Sequence, residues 1–456
     1  MDPEDEGEAG GFSEPGLNDG NWTPVFLPAT YEQLCPEVDH YEGAGWFRLR
    51  MKVDPAWRGR TVVFAGGGNS GRCQVWINGR LLINQEDPWL PFEARVPDDL
   101  VASGSLQLAV RTDNRPEPAL VPGREYGWRN FGGITRPLFL EIVPRRRLAP
   151  PLVIPTLRDG VGRIRLKCQP AERTEAMKGL VRVTLHDGPG LSGQRVLRNR
   201  RLPAADGTAI VDCGTVEPWS PAHPNLYTLR CEWVDNEGGI LDAVSRRVGF
   251  RQVRSAEGRI LLNGEPIFLR GFNLHEDRAG AGPCEDPDGA RADLEAMKAA
   301  GANAVRLAHY PHAASTLDLC DELGLLVLSE IPLYWLRRQG LNEAEFSAKA
   351  GRAARQLDAL IQRDAHRPSV MLWAVSNEPL EGDPAVREVN HNLIMRAREL
   401  DPTRLVAHVS CHFWHYEPDG PNFANDDAIC VNAYPTWWDT DARKGPTSSL
   451  PQRGAD

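Results

Sequence analysis

The sequence predicts a multidomain fold: two all-β sandwiches, a jelly roll and then an immunoglobulin-like unit, followed by an incomplete (β/α)8 TIM barrel. Three observations predict it. Residues 19–253 alternate apolar and polar side chains in short runs broken by Gly and Pro, as half-buried antiparallel strands do. After Arg254 the rhythm changes to apolar runs separated by helical stretches, the signature of a parallel sheet. Nearly every one of those runs ends on a polar or aromatic residue, at the edge where α/β barrels keep their chemistry.

Each element follows from local pattern. Residues 1–18 are acidic and poor in apolar side chains, so a disordered tail is expected there. Residues 19–143 supply Trp46–Val53, which alternates apolar and basic residues, and Gln74–Ile77, which meets Asn78-Gly79 as a strand meets a tight hairpin turn. Ser105–Arg111 and Pro137–Val143 complete this jelly-roll region. A Pro- and Arg-rich stretch over 144–151 marks a boundary. Residues 144–253 then read as an immunoglobulin-like sandwich, with strands at Arg163–Lys167, Leu180–Leu185, Thr208–Asp212, Leu226–Trp233 and Arg246–Arg251.

The barrel region, 254–456, supplies strands one to six: Ile267–Phe272, Ala304–Leu307, Leu325–Leu328, Val370–Val375, Leu405–Ala407 and Ala428–Val431. Between them lie helices that include Asp288–Ala300, Glu343–Asp364 and Ala385–Leu400. In the first, Ala290, Leu294 and Met297 share a face and Gly301 stands at the C-cap.

Composition narrows the function. A chain of 456 residues can bury several cores, and its 37 Pro and 43 Gly favour turns over long bundles. A net charge of −10 argues against a nucleic-acid surface, and no run of about 18 apolar residues exists to span a membrane. The acidic start lacks the basic and apolar parts of a secretory signal. Nine scattered cysteines, never spaced C-x-x-C, read as free thiols of a reducing compartment, so a cytoplasmic location is expected.

The most pointed feature is Asn377-Glu378-Pro379, closing the apolar run Val370–Ser376. A Glu delivered to a barrel mouth is a natural proton donor for a glycosidic oxygen, and the Asn beside it can hold a sugar hydroxyl. A Glu that caps the next helix is the plainer reading, and the tripeptide alone leaves both open. Five other strand ends converge with it: Asn273–Asp277, Arg306–Pro311, Glu330, His408, and Asn432-Ala433-Tyr434. His312 and His366 read as satisfied core histidines. His408, His412 and His415 would suit a metal only on a helix, and His408 ends a strand, so no metal or cofactor is expected.

Together with these residues, a set of ordered motifs makes the chain resemble glycoside hydrolase family 2, the group of β-galactosidases, β-glucuronidases and β-mannosidases. The motifs are Val75–Gly79, Gly132–Arg136, Trp219-Ser220-Pro221, Pro224–Tyr227, Val248–Arg251, Leu262–Pro266, Arg306–Pro311, Leu319–Leu325 and Trp373–Pro379. The resemblance implies a retaining β-glycosidase acting on a carbohydrate substrate, most simply a terminal β-galactoside or β-glucuronide. It makes Glu378 the acid/base, with a pKa raised by surroundings such as Trp373 and a second carboxylate. It places Asn377 on the sugar 2-hydroxyl, His275, Arg306 and His309 in the pocket, and Tyr434 on the nucleophile carboxylate. Asn432, Trp437 and Trp438 fall in the same substrate-lining segment.

Two departures stand out. His366-Arg367-Pro368-Ser369 differs from the family's usual Asn-His before Pro-Ser, on the far face of the barrel. In the loop Tyr126–Gly133, Gly127 stands where galactosidases and glucuronidases send an Asp into the pocket, so the sugar's identity does not carry over. The family's nucleophile is a Glu on the seventh strand. A barrel starting at Arg254 would run to about residue 505, so the chain is expected to be a fragment without it. Glu330 is read as structural, not as a substitute. A non-catalytic carbohydrate-binding protein is the alternative function, and a homo-oligomer is left open.

Overall fold

The alternating runs before residue 144 pair as antiparallel strands in two main sheets. A computed structural model describes residues 1–38, 40–124, 127–172, 179–188, 190–191, 196–203, 208–411 and 423–433. Ala44–Lys52, Ser105–Asp113, Arg72–Ile77 and Arg80–Gln85 form one sheet in that order, and Phe92–Arg95, Thr61–Gly66 and Leu138–Val143 form another. Their apolar faces share a core that includes Phe64, Val75, Ile77, Leu106 and Ile134. The hairpin turn at Asn78-Gly79 has both residues at positive φ, 51° and 80°, which is why Asn and Gly occupy it.

The N-terminal segment departs from the expected disordered tail. Asp2 N–H bonds Ala44 O at 2.8 Å, and Trp46 Nε1 donates to the Asp2 carboxylate at 2.9 Å. Asp5 pairs with Arg111 at 2.7 Å and with Arg115 at 2.6 Å. The segment's own composition is too polar to fold alone. It is held by a basic sheet face that only the tertiary structure assembles.

In the next region Leu152–Arg158, Val161–Lys167 and Thr208–Thr215 form a three-stranded sheet. Val196–Pro203, Leu180–Asp187, Tyr227–Val234 and Ile240–Val248 form a four-stranded one. Ile164, Leu166, Val183, Leu229, Trp233 and Phe250 fill the space between them. None of the nine cysteines forms a disulfide.

The barrel sheet has six parallel strands in sequence order: β1 (Gly271–Leu274), β2 (Ala304–Leu307), β3 (Leu326–Glu330), β4 (Val370–Asn377), β5 (Leu405–Ser410) and β6 (Cys430–Val431). β1 begins later than its sequence pattern suggests. Glu265–Pro266 pairs instead into a small antiparallel sheet with Val253–Ala256 and Arg259–Leu262 at the barrel floor. β1 opens on Gly271 because a Cβ there would fall 1.9 Å from Ala304 O of its neighbour.

Four helices cover the outside: α1 (Pro287–Ala299), α2 (Ala314–Leu323), α3 (Glu343–Asp364) and α4 (Pro384–Leu400). α3 starts in a capping box between Asn342 and Glu345, and α4 starts on Asp383, whose side chain accepts from Ala385 N–H. Leu294, Leu317, Leu357, Ile361 and Leu393 bind the helices to the strands, whereas Leu372, Ala374 and Ala407 pack inside with Trp219 below. Among the described residues no helix is long and apolar enough to cross a membrane.

At the floor, Arg251 from the end of the second β region is fully enclosed. It donates to Pro368 O at 3.2 Å and Thr403 O at 3.0 Å, and also to Val370 O. Those carbonyls lie at the starts of β4 and β5.

Candidate active site

The carboxyl ends of β1 to β6 bring six of the sequence-predicted residues together. At the end of β4 the chain turns sharply, with Glu378 at φ +50° and its N–H bonded to Val409 O at 2.6 Å. That turn lifts the Glu378 carboxylate, half-buried, into the mouth. Trp335 Nε1 donates to its Oε2 at 2.8 Å, and Asn432 Nδ2 to its Oε1 at 2.6 Å. Beside it Asn377 is buried, and its Oδ1 accepts from Arg306 at 2.6 Å and from Asn432 at 3.1 Å. The Nδ2 of Asn377 has no hydrogen-bond partner among the described residues.

Arg306, at the end of β2, ties the group together. Its Nη1 donates to Asn432 Oδ1 at 2.9 Å and its Nη2 to Glu330 Oε2 at 3.0 Å. His309 Nδ1–H reaches the other oxygen of Glu330 at 2.9 Å. Burial alone would push the Glu330 carboxyl up, but the Arg306 guanidinium and His309 outweigh it and hold it at about 2. Glu330 is therefore an enclosed counter-ion whose two oxygens are occupied. His275, after β1, is pushed down to about 4 by burial and by the neighbouring His309 and His312, so it is a neutral imidazole at ordinary pH.

The first β region forms part of the rim. Trp128 stacks on His309 with centroids 5.7 Å apart and meets Tyr334 edge-on at 5.3 Å. Trp89 stacks on Tyr310 at 4.7 Å. Gly127 lies so close to Tyr334 that a Cβ would fall 2.7 Å from the phenol oxygen, so a side chain at this loop position would have to displace the Tyr334 ring. Arg136 anchors the seam, donating to Trp89 O at 2.6 Å, Pro311 O at 2.7 Å and Glu276 Oε2 at 2.9 Å.

The structure thus gathers Asn377, Glu378, Arg306, His309 and Asn432, with His275 adjoining them through His309 at 5.4 Å. Tyr434, Trp437 and Trp438 lie outside the described residues, as do His412 and His415. Trp373 is a correction. Its indole points away from the mouth, into the layer between β4 and the helices, where Nε1 bonds Asp401 at 3.1 Å. A strand buried on both faces gives no alternation from which to read that direction. Trp335 is the tryptophan that touches Glu378, and sequence reasoning missed it. The aromatic pair Tyr334-Trp335 just after the strand-end Glu330 was the available signal. His408 lies between Asp426 and Glu381, and among the described residues no cluster of His, Cys, Asp and Glu has the arrangement of a metal site.

A strand-end carboxylate and amide, tied together through Arg306 and Asn432, thus stand at the mouth of an incomplete parallel barrel. The model of the glycosyl hydrolases family 2 TIM barrel domain matches residues 253–446, and that of glycosyl hydrolases family 2 matches residues 151–251. The chain belongs to glycoside hydrolase family 2, whose members are O-glycosyl hydrolases.

Among its relatives, a putative β-glucuronidase of Formosa agariphila is 28% identical over 407 residues, covering 86% of this chain and 48% of that protein. A β-glucuronidase of Paenibacillus borealis is 28% identical over 476 residues, covering 96% and 75%. A β-galactosidase of Enterobacter cloacae is 29% identical over 435 residues, covering 90% and 39%. The chain thus spans about half the length of the first of these. The crystal structure of Ruminococcus gnavus β-glucuronidase has the same fold, with a TM-score of 0.83 at 22% identity over 96% of this chain and 75% of that one.

Proposed function

We propose that the chain carries the acid/base half of a retaining β-glycosidase acting on terminal β-glucuronides or β-galactosides. One observation carries this reading. Glu378 stands half-buried at the mouth, fixed through both oxygens, beside an Asn377 amide with an unused N–H. In the first step Glu378 gives its proton to the glycosidic oxygen as the C1–O bond breaks and a carboxylate nucleophile bonds to C1. In the second it takes a proton from water as the water oxygen attacks C1 and the carboxylate leaves. Asn377 Nδ2 donates to the 2-hydroxyl, and His275 and His309 meet other hydroxyls. Arg306 and Asn432 set the positions of Asn377 and Glu378.

The nucleophile is assigned to a carboxylate outside the described residues. Glu330 is excluded from that role because it is enclosed and both its oxygens are bound by Arg306 and His309. On the family pattern, Tyr434 holds the nucleophile and Trp437 lines the pocket. Domain boundaries at 144–151 and 251–256 belong to the same reading.

The test is turnover of nitrophenyl β-glucuronide and β-galactoside by the wild type and Glu378→Gln, with the first-formed anomer read by NMR. The β-anomer should form first, and Glu378→Gln should lose on the order of 100- to 10,000-fold in rate. A first-formed α-anomer, or turnover that Glu378→Gln leaves intact, would sink the reading.

A further inference from the structure

We propose that Trp335 is a positioning residue for Glu378, fixing the proton-shuttling carboxylate through its indole N–H. The assignment rests on the acid/base reading of Glu378. Beyond the end of β3 the chain does not turn away. It runs on beside the end of β4, with Asn377 N–H bonded to Leu333 O, Trp335 N–H to Asn377 O and Leu380 N–H to Leu336 O, each at 2.9 Å. Residues 333–336 therefore form a rail along the turn that carries Glu378.

Trp335 on this rail and Glu378 on the turn both adopt a backbone conformation that residues other than glycine avoid. Trp335 has φ +49° and Glu378 φ +50°, both in the left-handed region. Such conformations persist where the surroundings over-determine them, and they concentrate at functional sites. Here the pair of unusual turns is what aims the indole Nε1 at Glu378 Oε2, 2.8 Å away.

The contact is chemically directional. An indole N–H only donates, so it can meet the carboxylate oxygen in one way. The ring has little freedom to swing, because Tyr334 lies 4.7 Å from it and the Arg337 guanidinium sits over it at 5.3 Å. With Asn432 on the other oxygen, Glu378 is held at both ends of its carboxylate, which suits a group that must meet first a leaving oxygen and then a water at one place.

The test uses the chain labelled with 15N-tryptophan, together with calorimetry on uronic and neutral isofagomine iminosugars. The Trp335 indole cross-peak, assigned by its absence in Trp335→Phe, should lie downfield and move upfield in Glu378→Gln. Trp335→Phe keeps a ring and removes the donor, so it should weaken iminosugar binding about tenfold while binding of the free monosaccharides stays within about twofold. An indole spectrum that Glu378→Gln leaves unmoved overturns the Trp335 assignment, and it does not depend on whether Trp335→Phe folds. Equal iminosugar affinity in the wild type and Trp335→Phe overturns it as well, and leaves the Glu378 reading intact. Iminosugar affinity that Glu378→Gln does not change, or no iminosugar binding at all, overturns the Glu378 reading and this inference with it.

Discussion

His408, at the end of β5, should act as a latch that opens as the pH rises. Its ring is buried between two acids, with Nδ1 3.0 and 3.1 Å from the Asp426 oxygens and Nε2 3.0 Å from Glu381, and Phe423 stacks on it at 5.1 Å. Carboxylates only accept, so both nitrogens donate and the ring is an imidazolium. Burial disfavours that charge, but Asp426 and Glu381 outweigh burial and carry its pKa from 6.5 up to about 9. The folded protein thus holds a proton that the unfolded chain gives up near 6.5. The stabilisation is complete below that pH and is lost as the pH rises through about 9. Carrying the pKa from 6.5 to about 9 corresponds to about 3 kcal/mol.

Two measurements check this. The His408 imidazole, followed by 15N NMR from pH 5 to 10, should titrate near 9. Chemical denaturation at pH 6.5 and 9.5 should show the wild type losing about 3 kcal/mol, whereas His408→Gln should lack that dependence. The variant should already be weaker by roughly 3–5 kcal/mol at pH 6.5, because two buried carboxylates lose their counter-charge. A midpoint near 6.5, or the same pH dependence in His408→Gln, would refute the reasoning.

Glu330 should behave in the opposite sense. Its folded pKa of about 2 lies below the ordinary 4.5, so its stabilisation is full above 4.5 and lost as the pH falls through 2, about 3 kcal/mol in all. Fluorescence-monitored acid unfolding should show that loss in the wild type and not in Glu330→Gln, which should be weaker at pH 7 by about 3–5 kcal/mol because Arg306 is left buried without its acid. Gly127→Ala should cost about 1–3 kcal/mol, read by thermal shift, because the new Cβ meets a Tyr334 phenol wedged between Trp128 and Trp335. The same change should alter the tryptophan fluorescence, through the Trp128 stack on His309.

The barrel was legible because its strands are continuous apolar runs that stop on polar residues. Asn377 and Glu378 could be named from that pattern, and within the other strand-end segments the family resemblance singled out Arg306, His309, His275 and Asn432. What escaped depends on direction or on long-range partners. Trp373 lies five residues before Glu378 and Trp335 forty-three, so the sequence pointed to the wrong tryptophan. Only the backbone turn at 335 and the packing of β4 against α3 and α4 decide which one faces the carboxylate. The N-terminal acids looked like a tail because their arginine partners lie about 100 residues away. Trp128 carries no periodicity, and only the loop's approach to Tyr334 brings it over the histidines.

Arg251 bears on the order in which the molecule assembles. The carbonyls of Pro368, Val370 and Thr403 sit where strands start, and their donor comes from a residue more than 100 positions earlier. A buried carbonyl left without a donor is costly, so β4 and β5 settle most favourably onto a second β region that is already folded. Synthesis from the N-terminus supplies that order, since Arg251 leaves the ribosome well before the strands it serves. The sandwich thus works as a mould for the floor of the barrel, and the same residues cut free at 254 would have to build that floor without it.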